Sequence, residues 1–234
     1  MADGRVMFVT GASSGIGAAT ARRAVAAGDR VVLAARRERE LTALVEELGG
    51  PGRALAVRCD VTEWAQVAAG VDAALESFGR IDVVFANAGF GANRGFTQES
   101  VEHWRSMILT NVLGVALTIR ATLPHMLERG DGHYVLTSSI AGRRSLPGSL
   151  YSATKWAVTG MGQSLRAELR EIHENHAIRV SLVEPGGVET PFFEKPGSGR
   201  LEADDVARTV LYVIDQPAHV DVTEIVILPA AQRG

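Results

Sequence analysis

Cysteine is almost absent from this chain of 234 residues, and the single Cys59 excludes a disulfide within it. Cys59 lies in an apolar run beside Asp60, a setting typical of a small buried side chain rather than a reactive thiol. The N-terminal segment lacks the basic region and apolar core of a signal peptide, and no apolar run reaches the length expected of a membrane span. These absences predict a cytoplasmic protein.

The chain also has no excess of either charge, since 24 Lys and Arg residues face 27 Asp and Glu residues, for a net charge of −3. Interspersed charges of both signs predict neither nucleic acid nor a membrane surface as a partner. With 46% hydrophobic and 22% charged residues, the composition is that of an ordered globular protein. No repeat, low-complexity tract or linker divides the chain, so residues 1–234 are expected to form one domain.

Apolar strand-like runs alternate with amphipathic stretches of helix length from end to end. This alternation predicts an α/β fold in which helices cover both faces of a parallel sheet. Seven strands are predicted, at 6–10, 30–35, 54–59, 82–86, 133–137, 178–183 and 224–228. Six helices are predicted, at 15–28, 39–48, 63–78, 101–127, 149–174 and 203–216. Right-handed crossovers favour a doubly wound Rossmann sheet, with a ligand crevice at the carboxyl ends of its strands.

A glycine-rich segment, Thr10-Gly11-Ala12-Ser13-Ser14-Gly15-Ile16-Gly17, joins the first predicted strand to the first predicted helix. Its glycines allow a tight turn and a close approach of the main chain to a ligand, while the helix N-terminus favours an anion. The spacing differs from the commoner Gly-x-Gly-x-x-Gly fingerprint, but the same dipole and free amides suit a pyrophosphate. The segment predicts a dinucleotide-phosphate site, with a merely tight strand-to-helix turn as the alternative.

No acid follows the second predicted strand, where a fold that binds NAD usually places one to hold the adenosine ribose hydroxyls. Arg36 and Arg37 stand there instead. A guanidinium can pair bidentately with a ribose 2′-phosphate, which an acid would repel. The alternative is a solvated charge cluster with Glu38 and Glu40. We predict a preference for NADP(H).

Tyr151 and Lys155 stand four residues apart in a predicted helix, so their side chains project from nearly the same face. A nearby ammonium stabilises a phenolate, so Lys155 is expected to lower the pKa of Tyr151 from its ordinary value of about 10. A tyrosine tuned in this way can exchange protons near neutral pH. The pair alone also fits a packed tyrosine beside a solvated lysine.

In this order, the motifs resemble those of the classical short-chain dehydrogenase/reductase family over essentially the whole chain. Asp60-Val61 stands where the family holds the adenine ring, and Asn87-Ala88-Gly89 resembles the motif that steadies the sheet beside the cofactor. Pro185-Gly186-Gly187-Val188-Glu189-Thr190 resembles the segment under the nicotinamide. The resemblance implies a cofactor site made of Gly11, Ser13, Ser14, Gly15, Ile16, Gly17, Arg36, Arg37, Asp60, Val61, Asn87, Ala88, Gly89, Tyr151, Lys155, Pro185, Gly186, Val188 and Thr190.

The resemblance further implies an NADP(H)-dependent oxidoreductase that interconverts a carbonyl and an alcohol without a metal. Tyr151 would be the general acid/base, and Lys155 would tune it while bonding the nicotinamide ribose. Asn111, within Thr110-Asn111-Val112, resembles the family's helix asparagine, which holds a water in a proton relay. The alternative for Asn111 is a helix-bend residue that satisfies a main-chain group.

The serine that would polarise the carbonyl is less well defined than the tyrosine. Ser139 precedes Ile140-Ala141-Gly142, as the family's active-site serine would. The interval from Ser139 to Tyr151 is one residue shorter than the usual family spacing, which would select Ser138 instead. We predict Ser139, because Pro147-Gly148 marks a turn in which one residue can be lost.

The substrate is expected to be a small carbonyl compound or alcohol. The stretch 207–229 resembles a subgroup that contains NADP-dependent 3-hydroxy acid dehydrogenases and clavulanate-aldehyde-type reductases, although fold similarity does not transfer a substrate. The family resemblance implies a homodimer or homotetramer built on the helices at 101–127 and 149–174. A catalytically idle NADP(H) sensor is the alternative from another class. The alternative among enzymes is a nucleotide-sugar epimerase, which shares the tyrosine and lysine but usually needs a larger C-terminal substrate domain.

Aromatic and aliphatic residues near the motifs are candidates for the pocket lining, namely Phe90, Phe96, Leu146, Leu150, Phe192 and Phe193. The segment 191–200 combines prolines and glycines with adjacent phenylalanines, which predicts a lid or rim over the crevice. Trp64, Trp104 and Trp156 are predicted to be packing anchors on helices. His173 and His176 are predicted to be solvated rather than metal-bound.

Overall fold

The computed structural model describes residues 4–192 and 199–232, and the seven predicted strands form one parallel sheet. The strands are β1 Val6–Thr10, β2 Arg30–Ala35, β3 Ala54–Arg58, β4 Val83–Ala86, β5 Gly132–Thr137, β6 Ile178–Pro185 and β9 Glu224–Ile227. Their order in the sheet is β3-β2-β1-β4-β5-β6-β9. The strand order reverses between β1 and β4, so a ligand crevice is expected at the carboxyl ends of these strands.

The predicted strand bounds agree with the structure to within two residues, and the largest difference is at the end of β6. This strand continues to Pro185 because its last residues stay in register with β9, where Pro185 lies opposite Ile227. A short parallel pair, β7 Val188–Glu189 and β8 Leu201–Glu202, was not predicted. Runs of two residues carry no detectable alternation, so the sequence pattern alone misses them.

Helices cover both faces of the sheet, as the alternating pattern predicts. They are α1 Gly15–Ala26, α2 Glu38–Glu47, α3 Trp64–Phe78, α4 Val101–Ile108, α5 Gly114–Arg129, α6 Leu150–Glu171 and α7 Ala203–Ile214. Helices α1, α2 and α7 pack on one face of the sheet, against side chains such as Met7 and Val9. Helices α3, α5 and α6 pack on the other face, against side chains such as Phe8 and Val84. This alternation along β1 places the hydrophobic core on both sides of a central strand.

The predicted helix at 101–127 is one continuous helical stretch with an irregular middle. α4 passes through a π-helical segment, Leu109–Leu113, into α5. The prediction that no apolar run is long enough for a membrane span is wrong here, because Val101–Arg129 meets that criterion of length and composition. Core helices of soluble proteins meet the same criterion. This stretch buries Met107 and Met126 and carries Pro124, and α5 packs on β4, β5 and α3.

The prediction for the lone cysteine agrees with the structure, whereas the prediction for two of the tryptophans does not. Cys59 is buried, and burial raises the pKa of its thiol to about 11, so it stays protonated. Trp64 and Trp156 are 45% and 47% exposed and do not anchor the core. The ring of Trp64 lies on the outer side of α3 beneath the Arg120 guanidinium. Helix periodicity cannot tell an outward-facing tryptophan from a buried one.

Candidate active site

A cavity of about 890 Å³ opens at the carboxyl ends of the central strands. Its wall contains all the predicted cofactor residues except Gly17, and it also contains Ser139, Tyr151 and Lys155. Gly17 lies beneath the glycine-rich loop, where a Cβ atom would come within 2.5 Å of the Gly11 carbonyl oxygen. Asn111 is buried behind the wall. The fold therefore gathers residues from distant parts of the sequence around one cavity.

The glycine-rich loop has the shape that its glycines predict. Gly11 and Gly15 have φ angles of +68° and +53°, in the left-handed region that favours glycine. A Cβ on Gly11 would approach the Ala88 Cα to 2.9 Å, and one on Gly15 would approach the Thr190 Cγ2 to 3.2 Å. Two neighbouring segments thus pack so closely on the loop that a side chain at Gly11 or Gly15 would crowd them.

The N-terminus of α1 points its free amides toward this loop. Ser14 is the N-cap residue with an extended backbone, and within the described chain no side chain caps the helix or adds an acid to its first turn. Such an end suits an anion, because the dipole and the unpaired N–H groups both favour negative charge. These features fit the pyrophosphate of a dinucleotide.

The two arginines after β2 differ in their contacts. Arg37 donates from Nη2 to Ser13 Oγ at 2.8 Å and to Ser14 Oγ at 2.6 Å, so its guanidinium reaches across the phosphate loop. Arg36 is exposed on the cavity wall. Two cations at this end fit a ribose 2′-phosphate.

The residues expected beside the adenine ring lie at the same end of the cavity. Asp60 Oδ1 accepts hydrogen bonds from the Thr62 amide at 3.0 Å and the Thr62 hydroxyl at 2.9 Å. Val61 lines the cavity and packs so closely on Gly114 that a Cβ there would come within 2.6 Å of Val61 Cγ2. The turn after β3 is therefore fixed by its own hydrogen bonds and by α5.

Asn87 connects three neighbouring strands at the floor of the cavity. Its Nδ2 donates to the Thr10 carbonyl at 3.2 Å, and its amide donates to Thr10 Oγ1 at 3.0 Å. Thr137 Oγ1 donates to Asn87 Oδ1 at 3.3 Å. The side chain thus joins the ends of β1, β4 and β5, consistent with the steadying function that the resemblance implies.

Asn111 lies in the π-helical segment and satisfies the main chain of Phe90. Its Oδ1 accepts from the Phe90 amide at 3.0 Å, and its Nδ2 donates to the Phe90 carbonyl at 2.9 Å and to Thr154 Oγ1 at 3.1 Å. These contacts fit the alternative of a helix-bend residue. Asn111 Oδ1 and Lys155 Nζ both lie close to Gly89, because a Cβ there would be 3.0 Å from the first and 3.8 Å from the second.

Tyr151 and Lys155 project from the first turns of α6 as the spacing predicts. Lys155 Nζ lies 5.7 Å from the centre of the Tyr151 ring and donates to the Thr137 carbonyl at 2.7 Å. Burial raises the pKa of Tyr151 to about 12, and a hydrogen bond with Ser139 opposes that rise. Burial lowers the pKa of Lys155 to about 8. The expected lowering of the tyrosine pKa by Lys155 is not found, because burial dominates the pKa of Tyr151 and the opposing effect comes from Ser139.

The two serines after β5 face different parts of the molecule. Ser138 is buried, where its Oγ donates to the Lys155 carbonyl at 3.1 Å and lies 2.8 Å from Thr159 Oγ1. Ser139 Oγ accepts from the Ala141 amide at 3.1 Å and donates to the Pro185 carbonyl at 3.3 Å. Ser139 is the serine close enough to Tyr151 to lower the pKa of its phenol, and both residues line the cavity. The geometry thus favours Ser139.

The predicted pocket-lining residues are only partly found there. Phe90, Leu146 and Phe192 line the cavity, and the Phe192 ring packs edge-on against Tyr151 with centroids 5.5 Å apart. Phe96 is 65% exposed and packs on Trp104, and Leu150 is not in the wall. Phe193 and most of the predicted lid lie outside the described residues.

Several residues of the wall were missed by the sequence reasoning, namely Arg94, Arg144, Ser149 and Gln232. Tertiary contacts bring them to the cavity. The Gly95 amide donates to the Gly148 carbonyl at 2.8 Å, which joins the two loops that carry the arginines. Gln232 Oε1 accepts from the Gly187 amide at 3.0 Å. No local motif marks these positions.

Comparisons with known proteins agree with this architecture. A family model described as short chain dehydrogenase matches residues 5–200. An uncharacterised oxidoreductase of Staphylococcus epidermidis is 35% identical over 96% of this chain and 97% of its own length.

Solved structures give the same result. An alcohol dehydrogenase of the archaeon Thermococcus sibiricus, complexed with 5-hydroxy-NADP, is 32% identical, with a TM-score of 0.86 over 98% of both chains. A 3-ketoacyl-(acyl-carrier-protein) reductase of Brucella melitensis, complexed with NADH, is 30% identical, with a TM-score of 0.88 over 97% of this chain and 98% of that chain. Fold, site and sequence together show that this chain belongs to the short-chain dehydrogenase/reductase family of oxidoreductases.

Proposed function

We propose that this protein is an NADP(H)-dependent oxidoreductase that interconverts a small ketone or aldehyde and the corresponding alcohol. The observation that carries the proposal is the arrangement of Ser139, Tyr151 and Lys155 on one wall of the cavity, beyond a glycine-rich loop suited to a pyrophosphate. A phenol and a hydroxyl on the same wall can both donate hydrogen bonds to a carbonyl oxygen, which gains negative charge during reduction.

Tyr151 is the proton donor in this mechanism. When bound, NADPH would supply a hydride to the carbonyl carbon. With a pKa of about 12, the Tyr151 phenol is protonated at neutral pH and can donate its proton to the carbonyl oxygen. Ser139 orients that oxygen by hydrogen bonding, for which its hydroxyl must leave the long contact with the Pro185 carbonyl. Alcohol oxidation is the reverse step, in which the phenolate oxygen of Tyr151 accepts the proton of the alcohol as the hydride leaves its carbon.

Lys155 and Asn111 support the tyrosine from behind. The Lys155 ammonium stabilises negative charge as it develops on the phenol oxygen, and its buried position strengthens that effect. Lys155 would also bond the nicotinamide ribose. Asn111, which like Lys155 lies close to Gly89, would hold a water that returns a proton to the lysine.

Preference for NADP(H) rests on the two cations at the end of β2. Arg36 lines the cavity and Arg37 bonds the serines of the phosphate loop, where a 2′-phosphate has room to pair with either guanidinium. The related structures contain both kinds of cofactor, an NADP derivative in one and NADH in another. Equal or tighter binding of NADH than of NADPH in a fluorescence titration would contradict this preference.

The remaining parts of the cofactor site follow from the lining of the cavity. Asp60 and Val61 would flank the adenine ring, Asn87 to Gly89 would lie under the central part of the cofactor, and Pro185, Gly186, Val188 and Thr190 would hold the nicotinamide end.

Turnover with a panel of aldehydes, ketones and 3-oxo acids tests the proposed function. The expected result is carbonyl-dependent loss of NADPH absorbance for at least one class. Tight NADPH binding without any turnover on the panel would instead support a catalytically idle sensor.

We also propose a cytoplasmic homodimer or homotetramer. The stretch from α4 to α5 exposes Ile108, Leu109 and Leu113, and α6 exposes Trp156, so apolar side chains of both long helices face outward. A second copy of the chain would cover them. Light scattering after gel filtration should give a mass of two or four chains, and a monomer at micromolar concentration would contradict this.

A further inference from the structure

A buried carboxylate lies outside the cavity wall, one residue before Pro185, whose carbonyl accepts a hydrogen bond from Ser139. Glu184 is fully buried, one residue before Pro185 at the end of β6. Arg143 pairs with it through Nε and, through Nη2, with Glu224 on β9. Gln163 Nε2 donates to Glu224 Oε1 at 3.1 Å. We call Arg143, Glu184 and Glu224 the clasp.

The clasp is a costly feature on stability grounds alone. Glu184 Oε1 is buried without a hydrogen-bond partner among the described residues. Burial raises the pKa of Glu184, and Arg143 opposes that rise. Removing two charges from water offsets most of their attraction, so a buried ion pair adds little net stability. A feature of this kind is better explained by the geometry that it fixes.

That geometry concerns the turn that carries Ser139. The turn starts at Ser139, whose carbonyl accepts from the Gly142 amide at 2.8 Å, and it ends at Arg143. Its start is tied to the end of β6, because the Ser138 amide donates to the Val183 carbonyl at 2.9 Å. The bond from Arg143 to Glu184 ties the end of the turn to the same segment.

The opposite side of the turn is tied to the helix that carries Tyr151. Ser152 Oγ donates to the Ala141 carbonyl at 2.5 Å, and Ser138 Oγ donates to the Lys155 carbonyl. The turn is therefore held between α6 and β6. Loss of the tie at Arg143 would free one side, so Ser139 could shift relative to the Tyr151 phenol.

We propose that the clasp is a positioning device for the proposed reaction, in which Glu184, acting through Arg143, holds the Ser139 hydroxyl in place for the substrate carbonyl. The inference rests on the proposed function, in which Ser139 polarises that carbonyl. A displacement of about 1 Å in a catalytic group can cost on the order of 100-fold in rate.

Glu184→Gln tests the device, because it keeps the shape of the side chain and removes its charge. We expect kcat to fall about 10- to 100-fold while the KM for NADPH changes by less than about twofold. Arg143→Lys, which retains the charge without the planar fork, should keep an intermediate kcat. Should Glu184→Gln not fold, Arg143→Gln breaks the same tie from a side chain that is 39% exposed.

A double-mutant cycle separates positioning from general stability. In a Ser139→Ala background, Glu184→Gln should lower kcat by less than about twofold further, because its effect is transmitted through the serine. Additive losses would overturn the proposal. Asp82→Asn is the matched control, since Asp82 is also a buried carboxylate held by arginines. It lies just before β4, at the amino-terminal ends of the strands and away from the cavity. The Asp82→Asn variant should lower the Tm and leave kcat within about twofold.

Amide hydrogen exchange gives a readout that needs no turnover. Glu184→Gln should speed exchange at Ala141 and Gly142, whose amides both bond Ser139, by about tenfold or more. Asp82→Asn should not. Wild-type protein without carbonyl reductase activity would refute the proposed function and leave exchange to decide the clasp. Active enzyme with unchanged kcat and exchange in Glu184→Gln would refute the clasp alone.

Discussion

The edge of the sheet formed by the amino ends of its strands and the cavity wall at their carboxyl ends differ in how far their charges are compensated. At the amino-terminal edge, carboxylates are matched by arginines and amides. Asp82 accepts from the Val6 amide at 2.7 Å and pairs with Arg80 and Arg129, and Asp29 pairs with Arg5. At the carboxyl-terminal edge, the described cavity wall holds five cationic side chains and one acid, in the list Arg36, Arg37, Arg94, Arg144, Lys155 and Asp60.

The difference shows which edge serves stability and which serves chemistry. Asp82 satisfies the start of β1 and the end of α5, so its burial is compensated by several hydrogen bonds. Lys155 is buried and donates a hydrogen bond to the Thr137 carbonyl, and burial lowers its pKa. Active sites commonly hold such poorly compensated groups at a cost in stability. The comparison predicts that mutations at the two edges have separable effects.

The largest separation should come from two tyrosines, Tyr151 and Tyr134. Tyr151→Phe removes the proposed proton donor and should lower kcat by about 10²- to 10⁴-fold, the range typical of general acid catalysis. Tyr134 on β5 is fully buried, and its hydroxyl lies 2.9 Å from Thr122 Oγ1. Tyr134→Phe should keep kcat and cost about 1 kcal/mol in the free energy of unfolding. Similar kcat values for the two variants would remove the distinction.

The next largest effect should be on stability at the amino-terminal edge. Asp82→Ala leaves Arg80, Arg129 and the Val6 amide without their shared acceptor. We expect a loss of about 3 kcal/mol in the free energy of unfolding, measured by urea denaturation. The kcat of the folded fraction should stay at the wild-type value. A variant that folds as well as wild type but turns over slowly would reverse the assignment of the two edges.

A pair of glycines sharpens the comparison at smaller scale. Gly15 in the phosphate loop and Gly79 at the end of α3 both have left-handed φ angles, +53° and +74°. An alanine at either position costs about 1–2 kcal/mol in backbone strain. Only Gly15→Ala should also weaken NADPH binding, because its Cβ would press on Thr190 beside the cavity, whereas Gly79 faces open space. Fluorescence titration of both variants checks this.

The smallest expected effect is a difference in the pH dependence of stability. Lys155 has a folded pKa of about 8, below its unfolded value, so the folded state releases the proton first. The cost of burying this charge is present below about pH 8 and disappears toward about pH 10.5, so it makes stability rise with pH in that window. Cys59 and Tyr151, whose pKa values are raised from 9.0 and 10.0, oppose this rise in the upper part of the window. The rise is therefore measured as the stability of wild type minus that of Lys155→Met, which should increase between about pH 8 and about pH 10.5.

Asp82 should instead make the folding stability fall at acid pH. Its folded pKa is lowered, because the Arg80, Val6 and Arg129 hydrogen bonds outweigh its burial. Its stabilising contribution is present above the unfolded pKa and is lost as the pH falls through the folded pKa. Tm measurements across the pH range should assign the acid limb to Asp82 and the alkaline rise to Lys155. An alkaline rise retained in Lys155→Met would contradict the assignment.

Most of the sheet could be predicted from sequence, because strands buried on both faces read as continuous apolar runs. The glycine-rich loop and the spacing of Tyr151 and Lys155 were equally local. The π-helical segment around Asn111 could not be predicted, since its hydrogen-bond pattern depends on packing rather than on periodicity.

Packing also decides what local motifs leave open at the site. The Ser138 hydroxyl is engaged by the main chain of α6, which leaves Ser139 as the serine available to a substrate. Arg94 and Arg144 reach the cavity through contacts between loops. The raised pKa of Tyr151 is a desolvation effect, which a spacing argument that considers only the neighbouring lysine predicts with the wrong sign.

The central claim is that the cavity transfers a hydride between NADP(H) and a carbonyl carbon with Tyr151 as the proton donor. The most direct measurement follows NADPH carrying deuterium at the transferable C4 position, with mass analysis of the alcohol produced from a carbonyl that the protein turns over. We expect one deuterium on the carbinol carbon for wild type and Tyr134→Phe, and almost no product for Tyr151→Phe. Alcohol without deuterium, or full turnover by Tyr151→Phe, would contradict it.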